Sequence, residues 1–225
     1  MSASREDVPS ARVPLNRERV LEAAVRLADE QGIEPLTMRT LAEAVGVKAM
    51  SLYNHVANKE DILDGLVDMV FAEIAVPVPG DGDWKAAMRA RAISVREALN
   101  RHRWAVGLME GRMTPGPASL RSHDAVMGCL REAGFPFRAA VHAMSVMDAY
   151  IYGFALQEKN LPFETPDQVS EVIETQRQRA PDMADHPYLV EVATEMAKAG
   201  YDDATGLECG LDLILDALER LGASV

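Results

Sequence analysis

Between Leu36 and Lys59 the chain places hydrogen-bond donors and small apolar groups where they could read a surface rather than build a core. In the run KAMSLYNH at 48–55, the periodicity predicts a short helix whose clear anchors are Leu52 and, just beyond it, Val56. Lys48, Met50, Ser51, Tyr53, Asn54 and His55 are then left facing outward. A lysine can donate to guanine, a serine tolerates several partners, and Met50 or Ala49 can touch a thymine methyl. Lys48, Ala49, Met50, Ser51 and Asn54 therefore suit base edges. Thr37, Arg39, Tyr53, His55 and Lys59 suit phosphate oxygens, contacts that fix register without reading sequence. The plainer alternative is that Tyr53 and His55 cap a small core.

The flanking residues supply the elements that must hold this set in place. Thr37 is a good N-cap for a helix with Met38, Leu41, Ala42 and Val45 on one apolar face, and Gly46 supplies the positive φ of a sharp stop. Two short helices joined by such a turn form a helix-turn-helix, whose second element lies in a DNA major groove. A helix capped at Asn16 and running to Gln31 turns Val20, Leu21, Ala24, Val25, Leu27 and Ala28 inward to support it. Asn58, followed by Lys59, Glu60 and Asp61, starts a long helix that reaches about Ile74. Its amino end, with Lys59, suits a phosphate oxygen.

Residues 15–66 resemble the DNA-binding domain of the TetR family of bacterial transcriptional repressors. The resemblance is carried by NRERVLEAA at 16–24, GIEPLTMRTLA at 32–42, GV at 46–47 and LYNHVANKEDILD at 52–64. It implies DNA contact by the ten residues named above. Looser matches follow at Asp83-Trp84, His102–Trp104, Gly134-Phe135, Gly153–Leu156 and 206–216, and these are similar to the regulatory domain of the tetracycline-repressor branch.

The expected fold is all-α, with a three-helix helix-turn-helix domain joined by a long helix to an all-helical ligand-binding and dimerisation domain. The boundaries read as a disordered tail at 1–14, the DNA-binding domain with its linking helix at 15–75, and the second domain at 76–225. The breaker-rich run VPVPGDGD at 76–83 marks the junction. Helices are expected at 83–101, 104–111, 117–133, 137–159, 187–199 and 204–221, with a loop at 160–185 that holds one helical piece near 167–178. Hydrophobic residues make up 48% of the chain, aromatics are few and no strand alternation is present.

The net charge of −12 is unevenly spread. Residues 1–60 hold 8 Lys+Arg against 9 Asp+Glu, and residues 61–225 hold 15 against 26, whereas 36–59 carries three cations against Glu43 alone. The acidity thus belongs to the second domain, where it repels DNA from the wrong surface. Arg5 and Arg12 lie in the tail and read as part of a floppy segment rather than a groove-binding arm. No signal peptide and no membrane helix are read, which points to the cytoplasm. Cys129 and Cys209 both fall in helical apolar patterns and read as buried thiols, not a disulfide or metal pair.

In the second domain, Arg91, Val95, Trp104, Leu108, Met109, Met113, His123, Met127, Met144, Met147, Asp148 and Tyr152 are candidate effector-pocket residues. Methionines make adaptable ligand walls, although a Met row at helical spacing is more often plain core. Asp148 interrupts the most apolar helix and needs a partner: Arg91, Arg121, a histidine or a polar ligand. Leu207, Leu211, Ile214, Leu215 and Leu218 form an apolar stripe that, with Ile151, is a candidate dimer interface. The resemblance implies a four-helix bundle across a two-fold axis. It also shows a departure. Tetracycline repressors hold a drug–magnesium chelate through a histidine and a glutamate, and the corresponding positions here are Leu108 and Gln157. No cofactor or metal is therefore expected.

Together these readings imply a homodimer that binds double-stranded operator DNA and is released by a small, largely apolar effector. The rivals are a helical enzyme or carrier with a vestigial DNA head, which lacks any hydrolase elbow, phosphate loop or metal-spaced His/Glu set to support it, and a DNA-binding regulator that answers to no ligand.

Overall fold

The computed structural model of the chain describes residues 14–80, 82–109, 111–112, 114–161, 168, 172, 174–175, 185–199 and 203–222, and over these it is helical without strands. The tail with Arg5 and Arg12, Met113 and most of the 160–185 segment lie outside the described residues; of the helical piece expected near 167–178, the described residues 168, 172, 174 and 175 are helical. The chain divides into two compact units, Met1–Leu66 and Val67–Val225.

The first unit contains α1 (Arg17–Gln31), α2 (Met38–Val45), α3 (Ala49–Leu52) and the beginning of α4 (Lys59–Glu73). Asn16 caps α1 by accepting from the Arg19 N–H at 2.9 Å, and Val20, Leu21, Ala23, Ala24 and Ala28 are buried. Val25 and Leu27, expected inside, are only half-buried. Gly46 ends α2 at φ 70° and ψ 34°, the left-handed region where a side chain is strained. The second reading helix is shorter than the 48–55 expected: α3 has four residues and ends at Leu52. Ser51, Tyr53, Asn54 and His55 are poor helix formers, and a turn replaces the helix, with the N–H groups of His55 and Val56 both donating to the Leu52 carbonyl at 2.8 and 3.0 Å. So short a helix does not persist by propensity. Leu52 and Val56, 0% and 2% exposed, pin it to the core.

The second unit takes the rest of α4, then α5 (Trp84–Arg101), α6 (Pro117–Glu132), α7 (Phe137–Lys159), α8 (Pro187–Ala199) and α9 (Asp203–Gly222). The helix expected at 104–111 is a single 3-10 turn, Ala105–Gly107. Gly107 and Gly111 deprive it of helix-forming residues. Helix α7 is central, packing on α5, α6 and α9. By length and composition alone, α7 is long and apolar enough to cross a membrane. Its buried face, however, includes the charged Asp148 and Glu158 and is occupied by neighbouring helices. Glu158 takes two hydrogen bonds from Arg96 Nε, at 2.9 and 3.0 Å, and Arg103 donates to the Glu158 and Lys159 carbonyls, closing the end of the helix. Cys129 is buried as expected. Cys209 is not: it is a free, exposed thiol on the outer side of α9.

The second unit also holds its part of α4 by polar contacts. Asp68 Oδ1 accepts from the Ala118 and Ser119 N–H groups at 2.8 and 2.9 Å, satisfying orphan donors at the start of α6. A Cβ on Gly116 would collide with this carboxylate, so the approach needs glycine. Glu73 takes hydrogen bonds from Arg101 (2.7 Å) and meets His102 Nε2 at 3.0 Å. Burial works against ionisation of Glu73, but these partners outweigh it and hold its carboxyl below the ordinary value.

Candidate nucleic-acid interface and effector site

The predicted phosphate and base contacts fall at three neighbouring places in the first unit: the start of α2, α3 with its following turn, and the start of α4. Thr37 caps α2. Its Oγ1 accepts from the Thr40 N–H at 3.1 Å while Thr40 Oγ1 accepts from the Thr37 N–H at 2.9 Å, a reciprocal cap in which threonine does the work usual for Glu or Gln. The Arg39 side chain is 84% exposed and meets Glu43 at 3.5 Å. An exposed pair of this kind contributes only about 0.3–0.5 kcal/mol and does not withhold Arg39 from an anion. Met50 and Tyr53 are 75% and 50% exposed, although both would be sheltered if the turn served only a core. Lys48 and Asn54 are exposed, and Ala49, Ser51, His55 and Lys59 are half-buried.

An ion pair absent from the sequence reading stiffens this region. Arg17 grips Asp61 with both terminal nitrogens, at 2.8 and 2.6 Å, and Asp61 also accepts from the Ala57 N–H at 2.8 Å. Asn58 accepts from the Asp61 N–H at 2.9 Å. The start of α1, the turn after α3 and the start of α4 are thereby tied together. The Arg17 hydrogen bond is the main cause that lowers the Asp61 carboxyl below its ordinary value. No local pattern announces a pair separated by 44 residues; Asn58 and Thr37, by contrast, are short-range caps and were legible.

In the second unit, Asp148 finds its partner in Arg91, with Nη1 to Oδ1 at 2.8 Å and both side chains buried. Arg121 is exposed. Val95, Trp104, Met109, Met147 and Tyr152 are buried, whereas Leu108, His123, Met127 and Met144 are half-buried. His123 Nδ1 lies 2.7 Å from the Ser119 carbonyl, and its ring sits 5.4 Å from that of Phe71. A separate surface pocket of about 120 Å³, lined by Val78, Trp84, Ala87, Cys129 and Glu132 among others, includes none of the predicted effector residues.

The apolar stripe assigned to a dimer interface is used up inside the chain. Ile151, Leu207, Leu211, Leu215 and Leu218 are 0–5% exposed within one protomer because α7 and α9 pack on each other; Ile214 is half-buried. Val146, Ala149, Gly153 and Leu156, spaced three, four and three apart, form one outward row on α7, and Leu213 is exposed on α9. A stripe of leucines does not by itself tell which of two partners it meets.

The family model described as "Tetracyclin repressor-like, C-terminal domain" matches residues 76–221, and that of "Bacterial regulatory proteins, tetR family" matches residues 20–66. The chain belongs to the TetR family. Among TetR-family relatives, the HTH-type transcriptional repressor DrrR1 of Streptomyces coeruleorubidus is 35% identical over 63% of this chain, which spans only 53% of that protein. The class C tetracycline repressor of Escherichia coli is 29% identical over 92% of both chains. Among solved structures, ActR of Streptomyces coelicolor in complex with actinorhodin superposes with a TM-score of 0.76 at 26% identity, covering 95% of this chain and all of that one. TetR family members are transcriptional regulators. Leu108 is half-buried and Gln157 exposed.

Proposed function

We propose that this chain is a homodimeric repressor that binds a palindromic operator through 37–59 and releases it when a small molecule enters the second unit. The carrying observation is the exposure of Met50 and Tyr53 on either side of the fully buried Leu52. Hydrophobic and aromatic groups held in solvent by a rigid anchor, beside Lys48 and Asn54, suit base edges and phosphates and contribute nothing to the core. A homodimer supplies two such heads, and half-sites about 34–36 Å apart present successive major grooves to them. The outward rows of α7 and α9 supply a face for the second copy. DNA binding assigns the work to the cytoplasm.

Release follows from linkage. A ligand that favours one arrangement of the second unit lowers operator affinity only by its differential affinity for the two states. The α4 helix begins at Lys59, a proposed phosphate contact, and continues to Asp68 and Glu73, which are bonded within the second unit, so one element is shared by both activities. Lacking metal ligands at Leu108 and Gln157, the site suits a metal-free effector.

The test is binding of the purified protein to DNA from upstream of its own gene, with Tyr53→Ala and Lys59→Ala compared. Tight, salt-sensitive binding to a palindrome that both variants weaken supports the reading. Equal binding by wild type and variants removes it.

A further inference from the structure

The Arg91 guanidinium is 2% exposed, yet among the described residues only its Nη1 is bonded, to Asp148, while Nε and Nη2 have no hydrogen-bond partner and no solvent access. Native interiors leave few such donors unmet, and those of a buried charge are among the costliest. Ser122, fully buried on α6, likewise keeps its Oγ without a partner. Helices α5, α6 and α7, which carry Arg91, Ser122 and Asp148, all pack against one another. Arg91 thus brings donors without acceptors into an apolar three-helix interior, and Ser122 adds a hydroxyl that can donate or accept.

We infer that Arg91 is the polar anchor of the effector site, and that the effector is a largely apolar molecule presenting an uncharged carbonyl oxygen to its free N–H groups. This rests on the effector-released reading above. The acceptor is argued from what Arg91 can and cannot do. A guanidinium only donates, so the incoming group must accept. A hydroxyl can accept from Arg91 but brings a donor that needs an acceptor of its own inside the protein. A carboxylate would make the Arg91–Asp148 pair into a buried triad with a net negative charge and no second cation to balance it. A ketone, quinone or amide carbonyl satisfies Arg91 without either cost. Because Nε and Nη2 are sealed from solvent, the carbonyl arrives only as the surrounding helices give. Occupancy is thereby linked to conformation.

The experiment uses the full-length protein and a set of fused-ring aromatics in matched pairs, with and without a ring carbonyl, such as fluorenone against fluorene, together with fluorene carboxylate. Binding is measured by calorimetric titration to wild type, to Arg91→Met/Asp148→Leu and to Arg91→Lys. The double variant replaces the pair with apolar groups, a change that buried ion pairs tolerate well. Its melting temperature reports whether the fold is kept. The lysine variant retains the cation opposite Asp148 but lacks the guanidinium fork, and it carries the test if the double variant fails to fold. Wild type should prefer the carbonyl member by roughly ten- to a hundredfold, the range for a charge-assisted hydrogen bond, and both variants should fall to about twofold or less. A preference unchanged in the variants, no preference in wild type, strongest binding by the carboxylate, or no binding by any carbonyl compound overturns the assignment. Operator binding measured with the same compounds separates the two claims. Carbonyl binding through Arg91 that leaves the operator complex intact refutes release and keeps the site, whereas operator release with no carbonyl preference refutes the site and keeps release.

Discussion

The first unit faces its candidate site outward, and the second encloses its own. Around α3, the candidate functional side chains are exposed and the frame beneath them is apolar: Leu52 and Val56 are buried so that Met50 and Tyr53 are not. Around α7 the order is reversed, with Arg91, Asp148 and Glu158 drawn inside and partnered by residues far along the chain. A surface site can be specified by a few neighbouring residues and their caps. An enclosed site depends on which helices come to lie side by side.

The contrast is broken most sharply at its apolar anchor. Leu52→Ala should cost about 2–5 kcal/mol, the range for emptying a buried leucine site. Because Leu52 is the buried residue of α3 itself, with Val56 beside it in the following turn, the loss should appear in the first unit. Chemical denaturation should show an early transition, and operator binding should fail with the second unit's own unfolding unchanged. A single unshifted transition would mean that α3 is held by something other than Leu52.

A smaller effect is expected where the second unit grips α4. Asp68→Ala leaves two amide donors at the start of α6 without an acceptor and should cost about 1–3 kcal/mol in thermal or denaturant unfolding. Asp68→Asn, whose amide oxygen can still accept, should recover part of that. Gly116→Ala should resemble the alanine variant because its methyl occupies the carboxylate's place.

The smallest effect sharpens the comparison from the first unit's side. Asp61 titrates below the ordinary carboxylate value because it is bonded to Arg17, so its contribution is present above about pH 4, the ordinary carboxylate pKa. It is lost as the pH falls through the lowered folded value. The pair is substantially exposed, and Arg17→Ala should cost only about 0.2–1 kcal/mol at neutral pH. Urea midpoints measured from pH 7 down to pH 3 should converge for wild type and Asp61→Asn at the acid end. Parallel curves would show that the bond does not shift Asp61.

Legibility in the sequence followed the same division. Asn16, Thr37, Gly46 and Asn58 act within three or four residues of themselves, and each caps or ends its helix where its type suggested. The helix following Gly46 was overestimated because its outward residues were counted as helical, when they form a turn bonded to the Leu52 carbonyl. Arg17–Asp61, Arg96–Glu158 and Asp68 with the start of α6 join residues 44 to 62 apart, and no periodicity encodes such partners. Asp148 was conspicuous as a charge in an apolar helix, and Arg91 was named among its possible partners. The leucine stripe of α9 shows the opposite failure: its period was right, but a period does not distinguish a neighbouring helix from a second protomer.

The measurement closest to the central claim is the salt dependence of operator affinity for wild type and Lys59→Ala. If the start of α4 contacts a phosphate, the plot of log K against log salt should be linear for both proteins and shallower by about 0.9 for the variant. Identical slopes and affinities would contradict the account, since Lys59 would then stand away from the DNA and the helix shared by the two units would not reach what it is proposed to control.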